Sequence, residues 1–492
     1  MLGAQGKGPT PKPPDENTAR EIIYPYYSLR DGGESTLVLM DRAVWSVEFT
    51  IAVHAVSGQT VWAQPLTIRP DERLEINIKK LLTDLGVDYR GDFYEGSVSL
   101  HFKGKGNPLG GRMIVEGPNE AWNLGPVWRA GEHSQNMIPE QLNSLWWDLG
   151  GSRDAELNVN NILGKPVEAD VYLDIAGKRH TAKTIRFRPY EMVHLSVAEL
   201  LAGIELTPYK APFGGVSIIA KSAEPALIAQ GKLTDAETGR QVSMIFPLPQ
   251  THRANALHAT GVPISVPSAD SPFAGMGTFT PHIYLRNLLD SPQTVTVTVE
   301  FPGESGLQRE ELAPLVLAGF TTQDIRLDGY YGELPLPLPY CALRIQYNGP
   351  PGSVIADVIA INEDGDAEAI GVRNEGDGYA GSLASYWSID DEADFYVFLT
   401  SMGDKKCRVG FRIDAGGVQY FLTDVVLGPH ETKVINLREL RDRQEADFRG
   451  NKIPANVSEG RLMYSRIDNV PIMGRVVVVP RQKNWEAKPL LK

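Results

Sequence analysis

The sequence predicts an all-β chain of four tandem antiparallel β-sandwich domains with very little helix. Three observations carry that reading. Four stretches can be laid on one another almost residue for residue: Val47-Phe49-Ile51-Val53, Val167-Ala169-Val171-Leu173, Val295-Val297-Val299-Phe301 and Cys407-Val409-Phe411-Ile413. Each places an apolar residue at every second position, the period of a strand with one buried face. Glycine turns and closing prolines recur at matching places, and the units are spaced by about 110–130 residues, an ordinary domain length.

The elements follow in order. Gly3 to Pro14 is a Gly/Pro stretch that cannot pack, so residues 1–20 read as a linker. An opening strand comes near Thr36-Leu39, Glu156-Val159, His282-Leu285 and Phe395-Leu399. The alternating strand is next, then a turn at Ser57-Gly58, Ala176-Gly177, Pro302-Gly303 or Ala415-Gly416-Gly417, where glycine supplies positive φ. A further strand stops at Pro70, Pro189 and Pro429, since proline cannot donate to a ladder; the third unit has Leu317-Ala318-Gly319 instead.

Alternation resumes at Leu74-Ile76-Ile78, Val193-Leu195-Val197, Ile325-Leu327 and Ile435-Leu437. Leu81-Leu82, Leu200-Leu201 and Tyr330-Tyr331 then switch the period to three or four, which predicts one helical turn. The run Leu437 to Asp447 is rich in helix formers. Two last strands close each unit, beginning with Val98-Leu100-Phe102, Val216-Ile218, Leu343-Ile345 and Leu462-Tyr464.

These signals place sandwiches at residues 21–117, 144–246, 278–373 and 383–482. Linkers fall at 118–143, 247–277 (Pro-rich) and 374–382, with a tail at 483–492. The first two linkers are long enough to carry extra strands or to fill joints, a role that suits Trp122 and Trp128.

A net charge of −13 over 492 residues, from 48 basic and 61 acidic side chains, argues for solubility and against a nucleic-acid partner, as no basic stripe interleaved with aromatics appears. No apolar run approaches the roughly 20 residues of a membrane helix. The two cysteines, Cys341 and Cys407, lie in different units and read as small core residues. A Gly/Pro tether before an all-β repeat chain suggests a secreted or cell-surface protein whose export signal has been removed.

Candidate sites are few. Asn362, Asp364, Asp366 and Glu368 offer oxygen ligands at alternate positions, as calcium prefers, but the spacing is not that of the twelve-residue calcium loop. Asp-Gly is also a hairpin signal, so a plain turn is the competing reading, with no cofactor. Asp390-Asp391-Glu392 with Asp394 is an acidic cluster that reads as a charged loop. The nine histidines are scattered, with no metal-protease spacing, and no nucleophile elbow, phosphate loop or dinucleotide fingerprint occurs. Aromatic pairs recur at Tyr26-Tyr27, Trp146-Trp147 and Tyr386-Trp387. Neighbours in an extended segment face opposite ways, so one ring of each pair can enter the core while the other faces out or toward the preceding domain. Tyr27, Trp146, Trp147, Tyr386 and Trp387 are therefore candidate contacts for a partner or a sugar.

The strand pattern and unit length, from about Ile22 to Arg481, resemble the immunoglobulin-like or fibronectin-like modules strung together in bacterial surface and secreted proteins. That resemblance implies adhesion, assembly or spacing, with protein or cell-surface polysaccharide partners and self-association, and no catalysis. The alternative is a carbohydrate-binding or enzyme-accessory protein that uses outward aromatics.

Overall fold

Alternation becomes pairing most completely in the fourth repeat. Cys407–Ala415 buries every second residue, Phe411 and Ile413 among them. It pairs antiparallel with Val418–Leu427 on one side and Glu459–Arg466 on the other, and Glu459–Arg466 pairs in turn with Ser382–Ser388. A second sheet sets Ala393–Ser401 between Thr432–Asn436 and Ile472–Pro480. Counting strands within the repeat, one sheet runs first, sixth, third, fourth, and the other fifth, second, seventh. Trp387, Val397, Leu399, Phe411, Ile413 and Leu462 belong to one hydrophobic cluster fed by both sheets.

The computed structural model describes residues 19–480 apart from 42–44, 71, 104–108, 119–120, 126, 130–140, 148, 150–152, 208–209, 236, 238, 240, 245, 248, 266, 269–270, 275, 304–305, 364, 366, 377–381 and 390–392. It is 58% strand and 8% helix, which makes the protein all-β. The other repeats keep the strand order of the fourth and add edge strands. In the second, Gln141–Trp146, Gly214–Ala220, Val167–Ile175 and Lys178–Phe187 form one sheet, and Met192–Ser196, Arg153–Asn161, Leu227–Asp235 and Gln241–Met244 the other. This order departs from that of immunoglobulin constant domains. The first strand lies beside the sixth, the seventh beside the second and the fourth beside the third, so both terminal strands and the fourth have changed sheets. Among the described residues no helix is long and apolar enough to cross a membrane.

Contacts divide the chain into two compact units. One comprises Met1–Leu173, His180–Pro212 and Val216–Phe246; the other comprises Asp174–Arg179, Phe213–Gly215 and Pro247–Lys492.

The helical turns form where the period switches. Ile78–Asp84, Val197–Ala202 and Leu437–Asp442 each begin after a residue whose side chain caps the first turn. Asn77 accepts from Lys80 N, Ser196 from Glu199 N, and Asn436 from Arg438 N and Glu439 N. Such caps satisfy amides that a helix start leaves unpaired. The third repeat has Arg326 at this place, with no side-chain cap, and makes only a 3-10 turn, Leu327–Tyr330. The helix after Asn436 stops at Asp442, short of Asp447, because Gln444 takes a left-handed φ of 51°.

Asparagines closing the second strand organise the next loop. Asn161 Nδ2 donates to the carbonyls of Lys165 (2.8 Å) and Arg188 (2.7 Å) while its Oδ1 accepts from Leu163 N. Asn287 does the same with Ser291, Leu317 and Leu289. Cys341 and Cys407 are both free and buried.

The stretch 247–277, expected to link, contributes Ala256–Val262, which pairs with Cys341–Tyr347 as the first strand of the third repeat. Residues 118–143 carry Ala121–Leu124 and Val127–Arg129, both added to sheets of the first repeat.

Phe49, Val171, Val297 and Phe411 are all buried in the cores of their repeats. Truncation of such a side chain costs about 2–5 kcal/mol. We therefore expect Phe411→Ala to lower the denaturant midpoint of the transition that carries the fourth repeat. An unchanged midpoint would show that Phe411 does not pack as the register requires.

Candidate functional site

The aromatic pairs lie on the first strand of their repeats or just beyond it, and the described rings are not turned to water. Tyr26, Tyr27, Trp146, Trp147 and Trp387 are all buried. The outward alternative is thus corrected at Tyr27, Trp146, Trp147 and Trp387, which leaves inward packing of both rings. The Tyr386 side chain lies outside the described residues. Both faces of the segment are covered, and two of the polar tips find partners inside: Tyr27 Oη donates to the Phe93 carbonyl (3.2 Å) and Trp146 Nε1 to the Ala211 carbonyl (3.1 Å).

Of the calcium candidates, Asp364 and Asp366 lie outside the described residues, as do Asp390, Asp391 and Glu392 of the other acidic cluster. Asn362 donates to the Met276 carbonyl (3.5 Å). Glu368 is turned inward on Ala367–Ile370 and pairs with Arg475, so it does not close a surface loop. Arg475 also donates to the carbonyls of Thr260 and Gly261. A buried carboxylate held by a buried guanidinium is committed to that partner.

Two histidine clusters that sequence reading left as scattered residues are built structures. The first lies in the first unit. His194, on Met192–Ser196, stands opposite Asn158 in the neighbouring strand. Its Nδ1 meets Asn158 Oδ1 (2.6 Å) and Glu156 Oε1 (3.2 Å), and its Nε2 meets Glu95 Oε1 (2.6 Å). All three partners are acceptors, so both ring nitrogens carry protons and the ring is an imidazolium. Burial alone would lower its pKa; the hydrogen bonds to Glu156 and Glu95 outweigh burial and raise it to about 9. Arg30 also pairs with Glu95, and Lys232 stands 3.8 Å from Glu156. The network joins the first and second repeats.

The second cluster lies in the second unit. His258 on Ala256–Val262, Glu300 on Gln293–Gly303 and His430 in the turn before Thr432–Asn436 are all buried, and one ligand atom of each lies within 4.8 Å of the others. His258 stands opposite Arg344, and so does Thr298, two residues before Glu300. His258 and Glu300 therefore share one face of their sheet. That is the face opposite the one carrying core residues Leu257, Ala259, Val297 and Val299. The ring of His430 covers it, stacked on His258 at 5.9 Å. His258 Nε2 is held by Glu375 (3.2 Å) and His430 Nε2 by Asp404 (2.8 Å). Burial lowers the pKa of both histidines and raises that of Glu300 to about 7.

His430 belongs to a recurring device. The residue after Pro189, Gly319 and Pro429 takes a left-handed φ: 57° at Tyr190, 50° at Phe320 and 56° at His430. Each projects a ring into a neighbour within its unit. Tyr190 stacks on His54 (4.7 Å), Phe320 lies under the Arg179 guanidinium (4.2 Å), and His430 stacks on His258. A second repeated position acts likewise. Asn160 Nδ2 donates to the Pro25 carbonyl (2.8 Å), Arg286 to Asp174 Oδ2 (2.6 Å), and Thr400 meets Thr260 through their hydroxyls. Aligning the turns at Pro189 and Pro429 would have singled out His430 from the sequence.

Comparison with protein-family models and with curated proteins finds no match.

Two outcomes follow from these contacts. Removing one member of a buried ion pair leaves the other uncompensated and costs about 3–5 kcal/mol; Arg475→Ala should destabilise the second unit by that order in chemical denaturation, with Glu368→Gln recovering part of the loss in the double variant. His194 has a folded-state pKa above its unfolded value of roughly 6.5. Its contribution is therefore complete below about pH 6.5 and is lost as pH rises toward about 9. Six of the eight tryptophans lie in the first unit, so tryptophan emission reports its unfolding. The urea midpoint should fall across that window in the wild type and stay flat in His194→Gln.

Proposed function

We propose that this protein is a non-enzymatic structural, adhesion or assembly protein of the extracellular space or cell surface, built from four β-sandwich modules. The observation that carries this reading is the repeated use of two chain positions, the end of the second strand and the left-handed turn, to grip a neighbour. Modules that must hold a fixed spacing need such joints, whereas a flexible string of binders does not. Surface partners are proteins, polysaccharides or further copies of the chain. The carbohydrate-binding alternative is weakened by the burial of Trp146, Trp147 and Trp387, because a stacking platform must be reached by its sugar.

The test is the stiffness of a joint. Spin labels on cysteines placed at exposed Lys80 and Lys183, in the first and second repeats, should give one narrow distance distribution by pulsed electron resonance. The native cysteines are buried and remain unlabelled. Asn160→Ala combined with His194→Gln should broaden the distribution. A broad distribution in the wild type, or turnover of glycoside or peptide substrates by the full chain, would remove the reading.

A further inference from the structure

We propose that His258, Glu300 and His430 form a binding site for a divalent transition-metal ion of the zinc type, which fastens two strands of the third repeat to the turn of the fourth. Each histidine gives its Nε2 to a carboxylate, Glu375 or Asp404. A carboxylate accepts, so that nitrogen carries the proton and the neutral ring keeps its lone pair on Nδ1. Among the described residues, His430 Nδ1 is buried and has no hydrogen-bond partner, and Glu300 Oε2 is buried and has none either. The nearest approach between these two residues is 3.9 Å, from His430 Nδ1 to Glu300 Oε1. With Glu300 ionised, His430 Nδ1 and Glu300 Oε2 are two buried acceptors close together that no donor among the described residues reaches. Unpartnered buried acceptors are costly, and a cation relieves all of them at once.

The surroundings are those of a metal centre. Imidazole nitrogen with carboxylate oxygen suits zinc and its neighbours in the transition series, whereas calcium takes oxygen alone. Carboxylates on the outer nitrogens fix tautomer and ring orientation and raise ligand basicity, the usual arrangement behind metal-bound histidines. Arg309 stands 3.3 Å from Glu300 Oε1, which leaves Oε2 for the ion. Arg344 holds Glu375 at 3.2 Å and does not enter the cluster as a ligand. Around the neutral rings, three carboxylates face two guanidiniums, a net negative setting for a dication. Donor atoms in a tetrahedral zinc site stand about 3.3 Å apart. Closing the present 4.8 Å limit to that takes an approach of about 1.5 Å shared among the side chains. Three protein ligands leave a fourth position for water.

The test uses the full chain, stripped with a chelator and titrated with zinc against a chromophoric competitor. We expect one zinc bound per chain and a higher melting temperature with zinc than with chelator, both lost in Glu300→Gln and His430→Ala. Cobalt in place of zinc should give the intense visible bands of a tetrahedral ion. Asp404 is 80% exposed, so Asp404→Asn should leave the chelator-treated melting temperature unchanged while weakening zinc roughly 10–100-fold. That variant decides the matter if the buried substitutions fail to fold. A wild type that melts alike with zinc and chelator, or zinc affinity untouched by Asp404→Asn and Glu300→Gln, would overturn the proposal.

Discussion

The constraint on which this structure depends is that the first strand of a repeat is covered on both faces. A strand sends alternate side chains to opposite sides. Ordinarily one side meets a core and the other meets water. Here Ala256–Val262 is buried at every residue, and Gln141–Trp146 at all but one. The inner side feeds the core shared by two sheets. The outer side meets another part of the same unit, so any polar group there must find its partner inside the protein.

That requirement explains the composition of the joints. The first strand is interrupted at matching places, with its register shifting between Tyr24 and Tyr27 in the first repeat and between Ala259 and Val262 in the third. A bulge takes residues out of the ladder and leaves their carbonyls unpaired. The Pro25 carbonyl then accepts from Asn160, and the Thr260 and Gly261 carbonyls accept from Arg475. Gly261 is required there: its φ is +62°, and an added Cβ would fall 2.7 Å from the Phe398 ring. Phe398 in turn stacks on Phe273 and meets Tyr340 edge-on.

Much of this was legible in the sequence, and the limits have a physical origin. The period-two runs fixed Phe49, Val171, Val297 and Phe411 as core, because burial on one face leaves a clean pattern. The helical turns were legible too, and so were their caps once Asn77, Ser196 and Asn436 are compared with Arg326. Burial on both faces erases alternation, so Ala256–Val262 fell in a stretch read as linker, and one ring of each pair Trp146-Trp147 and Tyr26-Tyr27 was open to facing out or toward the preceding domain. The histidine clusters were hidden for another reason. His258, Glu300 and His430 are brought together by sheet register and by a turn far along the chain, and no local spacing encodes that. Glu368 misled in the same way: its neighbours suggested a loop, while its partner is Arg475.

The left-handed turn has a consequence for how such a chain reaches its native state. Similar repeats in one chain invite a strand or hairpin of one to dock into another, the characteristic failure of tandem repeat proteins. Their backbones offer little to prevent it, since the turn geometry is nearly the same at Tyr190, Phe320 and His430. The side chains on that turn differ. Tyr190 fits a histidine whose nitrogens are engaged by Thr60 and Ser99, Phe320 fits a guanidinium, and His430 fits an acidic cleft. An exchanged neighbour would find a phenol against an acid or an imidazole against a guanidinium. A variable residue on a repeated turn is in this sense an address: it makes each joint a poor fit for the wrong neighbour.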